Sequence, residues 1–117
     1  MKTLAGLVFV GLLLLSAASA HAVCNTLPIA NTDVYNIPRN TSVNILHSAI
    51  KANDTDANGD PLSASISGAP TTGSYCGIAP DGVCYAPPTN FVGLVAIPYN
   101  LSDGCNTVGG TVLVNVQ

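Results

Sequence analysis

From residue 33 onward, apolar residues recur at every second position in short runs, and each run ends in turn-forming residues. That period belongs to a strand with one face buried and the other in water; a helix would repeat at about 3.6 residues. Residues 33–37 form the first run, closed by Pro38-Arg39-Asn40, and residues 41–45 set Thr41, Val43 and Ile45 on one face. Leu62, Ala64 and Ile66 alternate with Ser63, Ser65 and Ser67 until Gly68-Ala69-Pro70. Residues 73–78 and 83–86 flank Ala79-Pro80-Asp81-Gly82, which suits a type I turn closed by a glycine bulge. Residues 91–101 set Val95, Ile97 and Tyr99 on one face, and Pro98, lacking an N–H, predicts a sheet edge or a bulge. Residues 111–116 close the chain with Val112, Val114 and Val116 in phase. No segment past residue 22 carries a helical repeat of useful length. About seven short strands separated by turn chemistry predict an all-β, antiparallel Greek-key β-sandwich. The serine-rich outer positions fit one solvated face per sheet.

The first 22 residues stand apart. Lys2, an apolar run over residues 4–15 and the small residues up to Ala20 or Ala22 have the pattern of a secretory signal peptide. The run is short for a membrane span, and no stop-transfer segment follows, so no membrane insertion is expected. Val23 before Cys24 argues against lipid modification. Residues 23–117 then form one domain of roughly 95 residues. Its cations are Arg39 and Lys51 against six Asp and no Glu, a net charge of about −4. Such a balance leaves no footprint for nucleic acid or an anionic membrane. With no Trp, and Phe91 the one Phe of the domain, the core rests on Val, Ile and Leu, and a core of that size is marginal. Four Cys in an oxidising compartment read as disulfides with three open connectivities, and their gaps fit no paired metal motif.

The order of motifs resembles the cadherin-like, immunoglobulin-like repeats of bacterial secreted and surface proteins. The resemblance is carried by Pro28-Ile29-Ala30-Asn31-Thr32-Asp33-Val34-Tyr35, then by the loop from Asn53 to Leu62, then by Pro80-Asp81-Gly82 with Tyr85 and Pro87. Asn90-Phe91-Val92-Gly93 and the turn from Tyr99 to Gly104 complete it. It implies an immunoglobulin-like sandwich on a secreted or cell-surface protein, with the periplasm as another compartment. It also implies a partner that is a protein or a glycan surface. Two departures stand out: such repeats come in tandem arrays, whereas this chain has one copy, and they commonly lack cysteine.

The densest chemistry lies in residues 53–61, which hold three of the six Asp. Asp54, Asp56, Asn58 and Asp60 fall at every second position, with Gly59 able to make the sharp turn, a spacing that suits oxygen ligands around Ca²⁺. It is not an EF-hand: the twelfth position is Ser65 and strands flank the loop. The expected affinity is weak, on the order of 10⁻⁴–10⁻³ M. The bland alternative is a solvated turn whose side chains cap their own backbone. Asp33 or Asp103 would add a ligand if the strand ends gather at one pole. For the cysteines, a sandwich of this order favours Cys24–Cys105 and Cys76–Cys84, the second pair lying on the two arms of one hairpin. A strict glycine-bulge register would set Cys76 diagonal to Cys84 rather than opposite it. His47 has no catalytic motif around it and reads as a surface or loop residue. Asn40-Thr41-Ser42, Asn53-Asp54-Thr55 and Asn100-Leu101-Ser102 are glycosylation sequons, triplets frequent by chance. The expected function is non-catalytic, structural or adhesive. The alternative is a filament or coat subunit that self-associates by strand addition, at the edge near Pro98 or through residues 23–31.

Overall fold

The computed structural model describes residues 26–117, so the expected signal peptide and Cys24 lie outside the described residues. Seven strands form two sheets: β1 (Asp33–Ile37), β2 (Val43–Leu46), β3 (Ser63–Ile66), β4 (Ser74–Ala79), β5 (Gly82–Ala86), β6 (Gly93–Ser102) and β7 (Thr107–Val116). One sheet runs β1-β7-β6-β3 and the other β2-β5-β4, so the chain crosses repeatedly between layers. Pairing is antiparallel except that β1 lies parallel to β7. The alternation works as the sequence requires. Val95, Ile97, Tyr99 and Leu101 of β6 and Val112, Val114 and Val116 of β7 are buried, packed with Ile45, Val83 and Tyr85 of the facing sheet.

Three tyrosines fasten loops to this core through their hydroxyls. Tyr75 donates to the Gly68 carbonyl, Tyr85 to that of Thr72, and Tyr99 reaches Asn31 and Asp54. A buried ring with a satisfied polar tip is a stable arrangement, because the hydroxyl is not stranded in apolar surroundings.

Four sequence expectations change. A one-turn helix, α1 (His47–Ile50), follows β2 and runs into a 3₁₀ turn (Lys51–Asn53). It is too short to show a periodicity; Ile50, fully buried, anchors it, and Asp81 caps it from another element. The Asp81 carboxylate accepts from the Ser48 N–H and hydroxyl, and the Asp81 carbonyl accepts from the His47 N–H. Pro98 is neither at an edge nor in a bulge, since β6 lies between β7 and β3 with unbroken register against β7. The β3 ladder stops at Ile66 opposite Tyr99; the next residue, Ser67, still donates its N–H to the Pro98 carbonyl at 3.0 Å, so the missing proline N–H falls where that ladder ends. The leading segment, expected to be open for strand addition, is already engaged at Ile29, which exchanges both backbone hydrogen bonds with Thr55. Finally, the β4–β5 hairpin turns through Pro80-Asp81 with Ala79 opposite Gly82, and its bulge sits at Cys76, between Tyr75 and Gly77.

That bulge resolves the cysteine geometry. Shifting the register by one residue at Cys76 brings it beside Cys84, and the two form a disulfide with a Cα–Cα distance of 5.0 Å. Cys105 is disulfide-bonded as well; its expected partner, Cys24, lies outside the described residues.

Candidate cation site at the acidic pole

The loop after α1 divides its acids between two tasks. At Asp54 the backbone is extended, held by the bridge from Thr55 to Ile29, and the side chain turns inward. Its carboxylate is buried, accepts from the Asn31 N–H at 2.7 Å, and meets the fully buried Tyr99 hydroxyl at 2.9 and 3.1 Å. Asp54 is therefore a strut between the leading segment and β6, not one of a row of four ligands. The Tyr99 hydroxyl titrates far above its ordinary range, because burial and then the Asp54 carboxylate both oppose the phenolate. Asp33 stands near the same strut. Burial, and secondarily the Asp54 charge, raise its pKa above the ordinary carboxylate value, opposed by the Asn53 side chain.

Beyond Thr55 the chain tightens. Asp56 Oδ2 accepts from the N–H groups of Asn58 (3.0 Å) and Asp60 (2.9 Å), and Gly59, with φ +75°, donates to the Asp56 carbonyl. This is an Asx-type turn, with glycine supplying the left-handed residue. It folds Asp60 back toward Asp56. The β6–β7 turn supplies the third acid: Asp103, 1 % exposed, uses Oδ1 to accept from the N–H groups of Cys105 (2.9 Å) and Asn106 (2.6 Å). Those backbone donors hold its pKa below the ordinary carboxylate range, so it is ionised at neutral pH.

One carboxylate oxygen each of Asp56, Asp60 and Asp103 lie within 4.8 Å of one another. Asp56 and Asp103 have each committed one oxygen to a turn; the other, Oδ1 of Asp56 and Oδ2 of Asp103, is buried and hydrogen-bonded to nothing. The Oδ1 of Asn58, in the same loop, is likewise buried without a partner. Buried oxygens of this kind are rare without a reason, and like charges at such spacing repel. A hard cation resolves both difficulties, since Ca²⁺ takes oxygen ligands at about 2.3–2.6 Å in irregular geometry. The residues present fit the ion.

Of the expected ligands the fold thus brings together Asp56 and Asp60, keeps Asn58 beside them, diverts Asp54, and chooses Asp103 rather than Asp33 as the acid from elsewhere. Nothing in the sequence ranks Asp103 above Asp33, because their difference is one of loop position in space. His47 is half-buried at the start of α1, its Nε2 accepting weakly from the Ile66 N–H at 3.4 Å. It lines a groove of about 340 Å³ whose other walls are aliphatic or glycine, apart from Tyr75. No nucleophile or orienting acid lines that groove.

With the sandwich and the acidic pole in view, comparison with known proteins is decisive on one point. The profile of the bacterial Ig domain matches residues 25–116, nearly the whole described chain. The chain belongs to the bacterial Ig domain family. No curated protein sequence matches it. Among solved structures, it is similar to the endo-fucoidan hydrolase MfFcnA4 from glycoside hydrolase family 107, with 19 % identity and a TM-score of 0.49. A point variant of that enzyme gives the same values. The alignments cover 82 % of this chain for the enzyme and 83 % for the variant, but 14 % of the hydrolase chain. Bacterial Ig domains are common on secreted and surface proteins, and among the described residues no helix is long and apolar enough to cross a membrane.

Proposed function

We propose that this bacterial Ig domain is a non-catalytic module of a secreted or surface protein, structural or adhesive in role, whose acidic pole is braced by calcium. Asp56, Asp60 and Asp103 would hold the ion, with the Asn58 amide oxygen as a neutral ligand. The reading rests on one observation above others: buried, unpaired oxygens of Asp56 and Asp103 in a group of three carboxylates. The ion would offset two of the three negative charges and tie the residue 56–60 loop to the β6–β7 turn. It stiffens the pole at which the described chain begins. Adhesion to a protein or glycan surface is the role the family context favours, through surfaces other than this pole.

Calcium should raise the melting temperature. A ligand at about 100 times its Kd adds about 2.7 kcal/mol, a rise on the order of 10 °C for a domain of this size. Thermal melts in 2–20 mM Ca²⁺ (about 10–100 times a Kd near 2 × 10⁻⁴ M) against chelator measure it. Asp56→Asn combined with Asp103→Asn should abolish the rise. An unchanged melting temperature together with no heat in a calorimetric titration would overturn the brace.

A further inference from the structure

The β6–β7 turn places a candidate cation ligand and a disulfide almost side by side. Asp103, 1 % exposed, belongs to the group of three carboxylates and keeps Oδ2 buried without a hydrogen bond. Cys105, in the same turn, is exposed and disulfide-bonded. A direct bond joins the two residues. The Cys105 N–H donates to Asp103 Oδ1 at 2.9 Å, and the Asn106 N–H donates to the same oxygen at 2.6 Å. These two donors fix the rotation of the carboxylate, and with it the position of Oδ2. Gly104, at φ +96°, lets the chain reverse between Asp103 and Cys105. Cys76 and Cys84 are bonded to each other, which leaves Cys24, outside the described residues, as the expected partner of Cys105. Farther along, the leading segment is fastened to the acidic loop: Ile29 pairs with Thr55, and the Asn31 N–H donates to Asp54. The acidic loop, the leading segment, the disulfide and the β6–β7 turn are thus links of one ring. A cation held by Asp56, Asp60 and Asp103 would close that ring from the other side.

We infer that the cation site is under redox control through Cys105: the oxidised domain binds calcium more tightly than the reduced one, and calcium holds this disulfide against reduction. The inference rests on the calcium reading above. Its physical reason is entropic. When one link already holds the turn against the acidic loop, the second link orders less chain as it forms. Reciprocity is then obligatory, since whatever factor oxidation adds to calcium affinity, calcium adds to the disulfide equilibrium. The turn is also held by the β6–β7 ladder as far as Ser102 and Thr107, so the factor should be on the order of fivefold, the low end of usual couplings. Opening the disulfide needs a dithiol reductant. One of its thiolates attacks a cystine sulfur and expels the other cysteine as a thiolate. Its second thiol then closes on the first, releasing the attacked cysteine. Two electrons and two protons pass to the protein, and the reductant leaves as a cyclic disulfide. Exposure of Cys105 gives such a reagent access. The other disulfide supplies a contrast within the same molecule. Cys76–Cys84 lies in the second sheet, and the loop it closes contains none of Asp56, Asp60 and Asp103.

Equilibration of the full domain in dithiothreitol redox buffers, with about 20 mM Ca²⁺ or with chelator, tests the coupling. Alkylation and peptide mapping then read each disulfide separately. Calcium should move the Cys105 midpoint about fivefold toward more reductant and leave the Cys76–Cys84 midpoint where it was. Asp56→Asn, a change in the loop across the ring, should abolish that shift. Calorimetry should find calcium bound about fivefold more weakly by Cys105→Ser than by the oxidised parent. The mapping uses the parent chain, so it decides the matter without Cys105→Ser if that variant does not fold. An unmoved Cys105 midpoint in a parent that binds calcium overturns the coupling and leaves the brace standing. Movement of both midpoints together indicates general stabilisation and overturns it as well. An oxidised parent that binds no calcium removes the brace itself, and the coupling with it.

Discussion

At the scale of single residues, two aspartates separated by one threonine do opposite things. Asp54 is a structural acceptor in the core's margin, and Asp56 is a turn-former with a spare buried oxygen. Their variants should therefore separate cleanly. Asp54→Ala removes the acceptor of the Asn31 N–H and leaves the Tyr99 hydroxyl with only the Asn31 carbonyl at 3.2 Å, and should cost about 1–3 kcal/mol by chemical denaturation, with or without calcium. Asp56→Asn should lose the calcium response while costing little in chelator, because relief of repulsion offsets its weaker turn. Asp33 yields a pH prediction. Its folded pKa is raised, so the ionised form destabilises the fold above that pKa, and the penalty vanishes as pH falls below the unfolded value near 3.8. Asp33→Asn should melt higher than the parent at pH 7, and the gain should disappear toward pH 3. Asp103 has the reverse sign: its depressed pKa contributes stability above the unfolded value that is lost as pH falls through the folded one.

At the scale of elements, the β4–β5 hairpin combines a two-residue turn, a bulge and a disulfide. A short closed loop limits what the disulfide adds, about 2.5 kcal/mol on the chain-entropy account, so Cys76→Ser with Cys84→Ser should weaken the domain without unfolding it. Gly82 is less replaceable. Its φ is +147°, and an added Cβ would run into the Ile45 carbonyl of β2. Gly82→Ala should thus cost more than removing the disulfide, on the order of 3 kcal/mol in an equilibrium unfolding experiment. The hairpin was legible as a hairpin, from Pro80-Asp81-Gly82 between alternating runs. Its bulge was misplaced because a glycine at a turn's end and a cysteine drawn to its partner both accommodate one extra residue. Only cross-strand packing decides which does.

At the scale of the whole molecule, strand crossings collect the acids. The 53–61 loop leads into β3, and the 103–106 turn joins β6 to β7; they meet because β3 and β6 are sheet neighbours. Calcium joining them should slow local opening there, so amide exchange at Asn58, Gly59, Cys105 and Asn106 is expected to slow on adding calcium, with little change at the opposite end near Arg39. A uniform change across the domain would argue for general stabilisation rather than a local brace.

The sequence by itself determined the fold class, the strand count and nearly every inward position, because period-two burial depends on local alternation that any reader of the chain can follow. It also determined that the 53–61 loop is the chemically dense stretch, and that Cys76 and Cys84 belong to one hairpin. Tertiary structure alone decided which acids face one another. Side-chain direction in an irregular loop follows from distant partners, here Tyr99 capturing Asp54 and the β6–β7 turn presenting Asp103. The same holds for Pro98, whose missing N–H looks like an edge signal until β3 is seen to end opposite it. Local pattern specifies elements; the meeting of loops some fifty residues apart is specified by how those elements pack.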